Sequence, residues 1–319
     1  MKVHHLNCGT LCPAGGKYLV EGMHILGRTF KSFQKIKGDS KSLNVLKDAW
    51  QRLNPFVQNI FNIGSDSIPF CMGCHCLLIE SSSGLILVDT GFGLEDIKNT
   101  NTRIPPEFLY FFGGPLLDKK ETAAYQIRKL GFKREDVRHI IVSHMDVDHV
   151  GGMRDFPKAQ IHLHQDEFEA ANNPQSFTET QRYIKAMWSH HPRWNIYQPK
   201  TGSHWKGFTC VRNLKGLPPE ILLIPLRGHT KGHTGVAIKT QTGYLFFTGD
   251  AYLRREQIES TQCSSIPSYV KIYNQFMHED KVSFEQNISK LKVLKKNEQD
   301  KIEIICSHDL RELKRIQAQ

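Results

Sequence analysis

The sequence predicts a layered α/β fold, an αββα sandwich, and three observations predict it. Two stretches share one plan: an apolar strand, a polar turn, a second apolar strand and an acid directly after it. The strand-like runs fall into two groups, each accompanied by helices, the pattern of stacked layers around a core. The 319 residues can bury a substantial core, and ordinary Gly, Pro and charged contents exclude a fibrous or disordered chain.

The elements follow in order. Residues 76–80, the turn Ser81-Ser82-Ser83-Gly84 and residues 85–88 form a hairpin that ends at Asp89-Thr90-Gly91. Residues 122–130, preceded by Asp118 and closed by Gly131, read as a capped helix. Residues 137–142 and 159–163 are short apolar strands, 166–171 a short helix, and Ile221–Pro225 another strand. A second hairpin joins 236–239 to 244–247 and ends at Thr248-Gly249-Asp250. Residues 284–296 are helical, with Ile288, Leu291 and Leu294 on one face, and 302–306 is the last strand. Residues 28–70 and 182–215 fit no period and are expected to be lid-like insertions on a single domain spanning 1–319.

The formal charge of +10 is unevenly placed. Residues 182–239 carry 10 basic groups against 1 acid, and they hold Trp188, Trp194 and Trp205. Cations interleaved with stacking rings would suit phosphates and bases. No apolar run reaches about 18 residues, so no spanning helix is expected. The opening MKVHHLNCGT lacks the apolar core of a secretory signal, which favours a cytoplasmic protein. The eight cysteines are therefore expected to be reduced. Cys71-Met72-Gly73-Cys74-His75 spells a haem-attachment motif, but it opens straight into Leu77-Leu78-Ile79, and core cysteines are the better reading.

The chemistry concentrates in Ser143-His144-Met145-Asp146-Val147-Asp148-His149-Val150-Gly151-Gly152. It offers four metal-ligand side chains within six positions after a strand, where a tight loop can aim them into one volume. Gly228-His229-Thr230-Lys231-Gly232-His233 offers one or two imidazoles, and Asp250 and His308 each follow a strand. His162 and His164, two apart on a strand, are expected to face solvent.

Together with Val88-Asp89-Thr90-Gly91, these pieces resemble the five motifs of the metallo-β-lactamase-fold hydrolases, in that family's order, from Asp89 to His308. The resemblance implies the αββα sandwich of that family and a site for two divalent metal ions, zinc by default. His144, Asp146 and His233 would hold the first ion, Asp148, His149 and His308 the second, and Asp250 would bridge them. His229 competes with His233, and the family pattern is taken to favour the second histidine. Asp89 would hydrogen-bond the site and set ligand orientation. The family's H-x-H-x-D-H stands here as H-x-D-x-D-H, so Asp146 replaces an imidazole, which brings iron or manganese into consideration.

The resemblance further implies hydrolysis: a metal-bridging hydroxide attacks an ester, lactone or thioester carbonyl, with Asp148 and Asp250 catalytic. A phosphodiesterase or nuclease is the alternative, supported by the basic tryptophan-rich segment, and a di-iron redox protein a weaker one. The expected partner is a small molecule, anionic or acylated, with nucleic acid the lesser choice; a homodimer is a family-level expectation. The opening residues 4–9 are similar to the first strand of lactonase-like members. Those lactonases place a tyrosine three residues after the bridging acid, where this chain has Leu253, with Tyr252 one residue short. Tyr252, Phe111 from the aromatic stretch 108–112, and Trp194 are the substrate-contact candidates.

Overall fold

The structure, a computed structural model, describes residues 1–13, 71–109, 113–198, 202–259, 266 and 268–318. The expected insertion at 28–70 and Phe111 lie outside the described residues.

Period-two alternation builds the layers. In strands β2 (Met72–Ser81) and β3 (Gly84–Val88), Leu77, Ile79, Ile86 and Val88 point one way, while Cys76, Leu78, Leu85 and Leu87 point the other. Both sets are buried, so the sheet must be covered on both faces. It pairs in the order β1 (Lys2–Leu11), β2, β3, β4 (Val137–Ile141), β5 (Gln160–His164), β6 (Arg193–Tyr197), antiparallel as far as β3 and parallel beyond. The second sheet runs β12 (Ile302–Ile305), β11 (Tyr244–Phe247), β10 (Thr234–Lys239), β9 (Ile221–Pro225), β8 (Phe208–Asn213), β7 (Ser203–Trp205). Only β11 and β12 pair in parallel there.

Three apolar layers result. Leu77, Ile79, Ile86 and Val88 meet Leu223, Val236, Ile238 and Phe247 between the sheets. Outside the first sheet, helices α1 (Ala123–Lys129) and α2 (Gln165–Asn172) cover Leu78, Leu87 and Ile140. Outside the second, Leu291 and Leu294 of α5 (Lys281–Glu298) pack on Ile224, Ala237 and Phe246. Each large side chain so buried contributes about 1.5–3 kcal/mol. Three more helices follow from the chain: α3 (Phe177–Arg182), α4 (Ser268–Phe276) and α6 (Leu310–Gln317). Among the described residues no helix is long and apolar enough to cross a membrane.

Two expectations are corrected here. Residues 182–215 do not form a lid: their described part supplies β6, β7 and β8, the outer strands at one side of both sheets. Nor are all cysteines reduced. Register pairs Leu11 with Met72, which brings the neighbouring Cys12 and Cys71 to a Cα separation of 4.3 Å, and they form a disulfide. Cys8, Cys74, Cys76 and Cys306 are buried free thiols.

Candidate metal centre and active site

The ligand-type side chains meet at one end of the sandwich. β4 delivers Ser143 and His144, and the chain turns through Met145 and Asp146 into a single helical turn, Val147–Val150, that carries Asp148 and His149. β11 and β12 run parallel, so Asp250 and His308 leave the sheet side by side. The loop between β9 and β10 brings His229. It is tied down where Thr234 N donates to Ser143 O, joining the two sheets at the site. Gly249 is required before Asp250: its φ is +55°, and a Cβ there would stand 2.7 Å from His233 Nε2.

Hydrogen bonds at the outer nitrogen fix the tautomer of each imidazole. His149 Nδ1 donates to Asp89 Oδ2 at 2.8 Å. His144 Nδ1 donates to Ser143 Oγ at 2.9 Å, which itself donates to Asp89 Oδ2 at 2.6 Å. Asp89 also accepts from Ser143 N, so one buried carboxylate orients two histidines. His308 Nδ1 donates to Gly73 O at 2.6 Å. His278 Nε2 donates to Asn274 Oδ1, leaving His278 Nδ1 to accept from His229 Nδ1 at 3.2 Å.

In the neutral form of each ring the inner nitrogen is then a lone pair, and each faces carboxylate oxygens. His144 Nε2 lies 3.6 Å from Asp146 Oδ2 and 3.8 Å from Asp250 Oδ2. His149 Nε2 lies 3.4 Å from Asp250 Oδ1, and His308 Nε2 2.9 Å from Asp250 Oδ2. His229 Nε2 lies 3.2 Å from Asp146 Oδ2. Buried acceptors turned toward acceptors are unfavourable until a cation joins them. His144 Nε2, His149 Nε2 and Asp250 Oδ1 are buried and have no hydrogen-bond partner. The donors group as His144–Asp146–His229, His144–His149–Asp250 and Asp148–His149–His308, each with ligand atoms within 4.8 Å of one another. This nitrogen and oxygen set fits divalent ions.

The electrostatics are correspondingly tense. Burial opposes ionisation of Asp250, but where the rings of His308, His149 and His144 carry a second proton they outweigh it and hold the carboxyl well below its usual range. Burial likewise opposes ionisation of Asp146, and Arg182 and His144 overcome it. Burial pushes Asp148 up, with Asp250 and Asp146 adding to the shift against His149 and His308.

A family model, the metallo-beta-lactamase superfamily, matches residues 70–306. The chain belongs to that superfamily. It is a metal-dependent hydrolase, and the two-sheet architecture above is the superfamily's αββα sandwich. A probable metallo-hydrolase of Mycobacterium tuberculosis is 32% identical over 242 residues, 74% of each chain. An N-acyl homoserine lactonase of Bacillus thuringiensis is 26% identical over 189 residues, 58% of this chain and 66% of its own. Among solved structures, an N-acyl homoserine lactone hydrolase with N-hexanoyl-L-homoserine at its catalytic metal centre overlays with a TM-score of 0.57 at 24% identity. It covers 77% of this chain and 84% of its own.

In this superfamily member the two imidazoles of the Gly228–His233 loop have different surroundings. His233 Nδ1 donates to Leu226 O at 2.9 Å, and its Nε2 accepts from the backbone N–H of Asp250 at 2.9 Å. Both nitrogens are occupied by backbone, whereas His229 Nε2 faces Asp146 and Asp250 at 3.2 and 3.5 Å. Tyr252, expected as a substrate contact, is fully buried, and its hydroxyl donates to Glu312 at 3.1 Å. Trp194 packs edge-on against Phe168 on the outer side of the first sheet, apart from the ligand residues. His162 and His164 are buried, not solvent-facing. His162 bridges His139 and Tyr197, and His164 caps α2.

The Tyr252 correction has a direct check. Burial raises the Glu312 carboxyl to about 7, and the Tyr252 hydroxyl stabilises its ionised form. Tyr252→Phe should therefore lower stability by about 1–3 kcal/mol in denaturant melts and leave KM unchanged; a raised KM at unchanged stability would return Tyr252 to the substrate pocket.

Three groups that sequence reasoning passed over also serve the site. Glu167, fully buried on α2, accepts from Met145 N, Thr230 Oγ1 and Gly232 N, clamping two ligand loops to each other. His278 fixes His229. Arg182, at the end of α3, places its guanidinium on Asp146. A buried acid or base in a strand–helix unit was the available signal, but its partners lie tens of residues away.

Proposed function

We propose that the chain is a dinuclear hydrolase of esters or lactones. The observation that carries this reading is the convergence of four tautomer-fixed imidazole lone pairs on three buried carboxylates. His144, Asp146 and His229 would hold one ion, Asp148, His149 and His308 the other, with Asp250 shared. When bound, two divalent ions supply Lewis acidity to a carbonyl oxygen and bring the pKa of water toward neutrality. Zinc is the default, and the third carboxylate admits iron or manganese.

The chain's own residues do the rest. Asp148 Oδ2 faces His149 and His308, at 3.7 and 3.6 Å. Its second oxygen is the acceptor for the proton that the attacking water releases. Water adds to the carbonyl carbon, the C–O bond to the leaving oxygen breaks, and that oxygen takes the proton, giving an acid and an alcohol. The lactonase of Bacillus thuringiensis supports lactones as the class to try first. Among the described residues of the basic segment, Lys206 pairs with Glu298, Arg193 donates to Lys158 O, and Trp205 packs on Phe208, Tyr244 and Phe246, so these groups are engaged within the protein and do not favour a phosphodiester.

The test is a panel of acyl lactones, thioesters and bis-nitrophenyl phosphate, assayed before and after dialysis against a chelator. Lactone or ester turnover should dominate, vanish with the metal and return with added zinc. A preference for the phosphodiester, or turnover indifferent to chelation, would overturn the reading.

A further inference from the structure

We propose that Arg182 and Asp146 form one functional unit, in which the guanidinium is the built-in counter-cation that lets a carboxylate serve where the superfamily motif has an imidazole. The inference rests on the dinuclear reading above and goes beyond it by naming what makes this chain's variant motif workable.

The geometry is specific. Arg182 Nη1 stands 3.2 Å from both Asp146 oxygens, while Asp146 Oδ2 also faces His144 Nε2 at 3.6 Å and His229 Nε2 at 3.2 Å. One carboxylate thus meets the cation on one side and the ligand cluster on the other. Nη2 donates to Met277 O at 2.7 Å, and Nη1 approaches His229 O at 3.5 Å and His229 Nε2 at 3.4 Å, so two other segments fix the fork. Glu279, 3.9 Å from Nε, is the other acid facing it. Arg182 is only 5% exposed, so its charge is held inside the protein beside Asp146.

Charge supplies the reason. A third carboxylate would leave the site one negative charge richer than the usual motif, and a buried excess charge is costly. Arg182 cancels it, so two divalent ions meet the same net charge as with two carboxylates. The converse also holds. An imidazole at position 146 would leave Arg182 as a buried cation beside the ions, repelling them. Arg182 is therefore a positioning residue that acts through Asp146 and the neighbouring His229.

The test is a double-mutant cycle read in metal binding. Zinc stoichiometry is measured by elemental analysis, and affinity by competition with a chromophoric chelator. The variants are Asp146→His, Arg182→Met and the double variant, each also melted in the metal-free form. With Arg182 present, Asp146→His should weaken one of the two ions at least about tenfold. In the Arg182→Met background the same change should cost less than about threefold, and the metal-free double variant should melt above Asp146→His. A purely architectural arginine would give no such coupling. Equal losses in both backgrounds, or a double variant no more stable than Asp146→His, overturn the proposal. A wild-type protein that binds fewer than two ions overturns the dinuclear reading and this inference with it, whereas two ions with additive effects overturn this inference alone.

Discussion

Asp250→Ala should abolish turnover and strip metal from the protein. No other carboxylate in the site touches as many imidazoles: His308 at 2.9 Å, His149 at 3.4 Å, His229 at 3.5 Å and His144 at 3.8 Å. Each of those rings presents a lone pair, so removing Asp250 leaves four buried acceptors with one anion fewer to attract a cation. Loss of a group that merely orients a ligand costs about 10–100-fold in metal affinity, and Asp250 stands where it would be a ligand, so at least the upper end is expected. Asp250→Asn separates charge from shape. It keeps the size and the backbone N–H that donates to His233, and should fold normally yet still lose most of its metal. Elemental analysis and turnover on the best lactone of the panel give the two readouts. An alanine variant that keeps two ions and wild-type turnover would end the reading of Asp250 as the ligand the two ions share.

Much of the scaffold was legible because local pattern and final environment agree. The hairpin of β2 and β3 alternates two buried faces, and the polar Ser81–Gly84 turn leaves only one register. The acids at its end and at the end of β11 fall in the site because strand ends are where parallel neighbours deliver side chains. The lone Asp89 could be read as a ligand orienter, and its three accepted hydrogen bonds give that role a physical form.

What escaped the sequence depends on contacts that no local period encodes. β6 pairs with β5 across some thirty residues, and its burial pattern shows no clean alternation, so the segment read as a lid. Cys12 and Cys71 become neighbours only through the β1–β2 register. Arg182 looked like one more cation in a basic stretch. Its partner is 36 positions earlier, and only the packing of α3 against the ligand loop turns it into part of the site.

The same limit separated His229 from His233, and the two substitutions should now behave differently. In a loop with two histidines four apart, spacing cannot say which ring turns inward. The structure decides by what each nitrogen touches: His233 faces backbone on both sides, while His229 is held by His278 with Nε2 toward Asp146 and Asp250. His229→Ala should therefore weaken one ion by about 100-fold or more, and His233→Ala by about tenfold, through the slackened Asp250 loop. Stability should tell the converse story. His233→Ala leaves Leu226 O and the Asp250 N–H buried without partners, about 1–3 kcal/mol for each group, so its metal-free form should melt well below that of His229→Ala. Cobalt-substituted protein makes the ligand assignment directly visible. The d–d bands should shift in His229→Ala and persist in His233→Ala, and the opposite pattern would restore His233 as the ligand and require the 226–233 loop to rearrange around the ion.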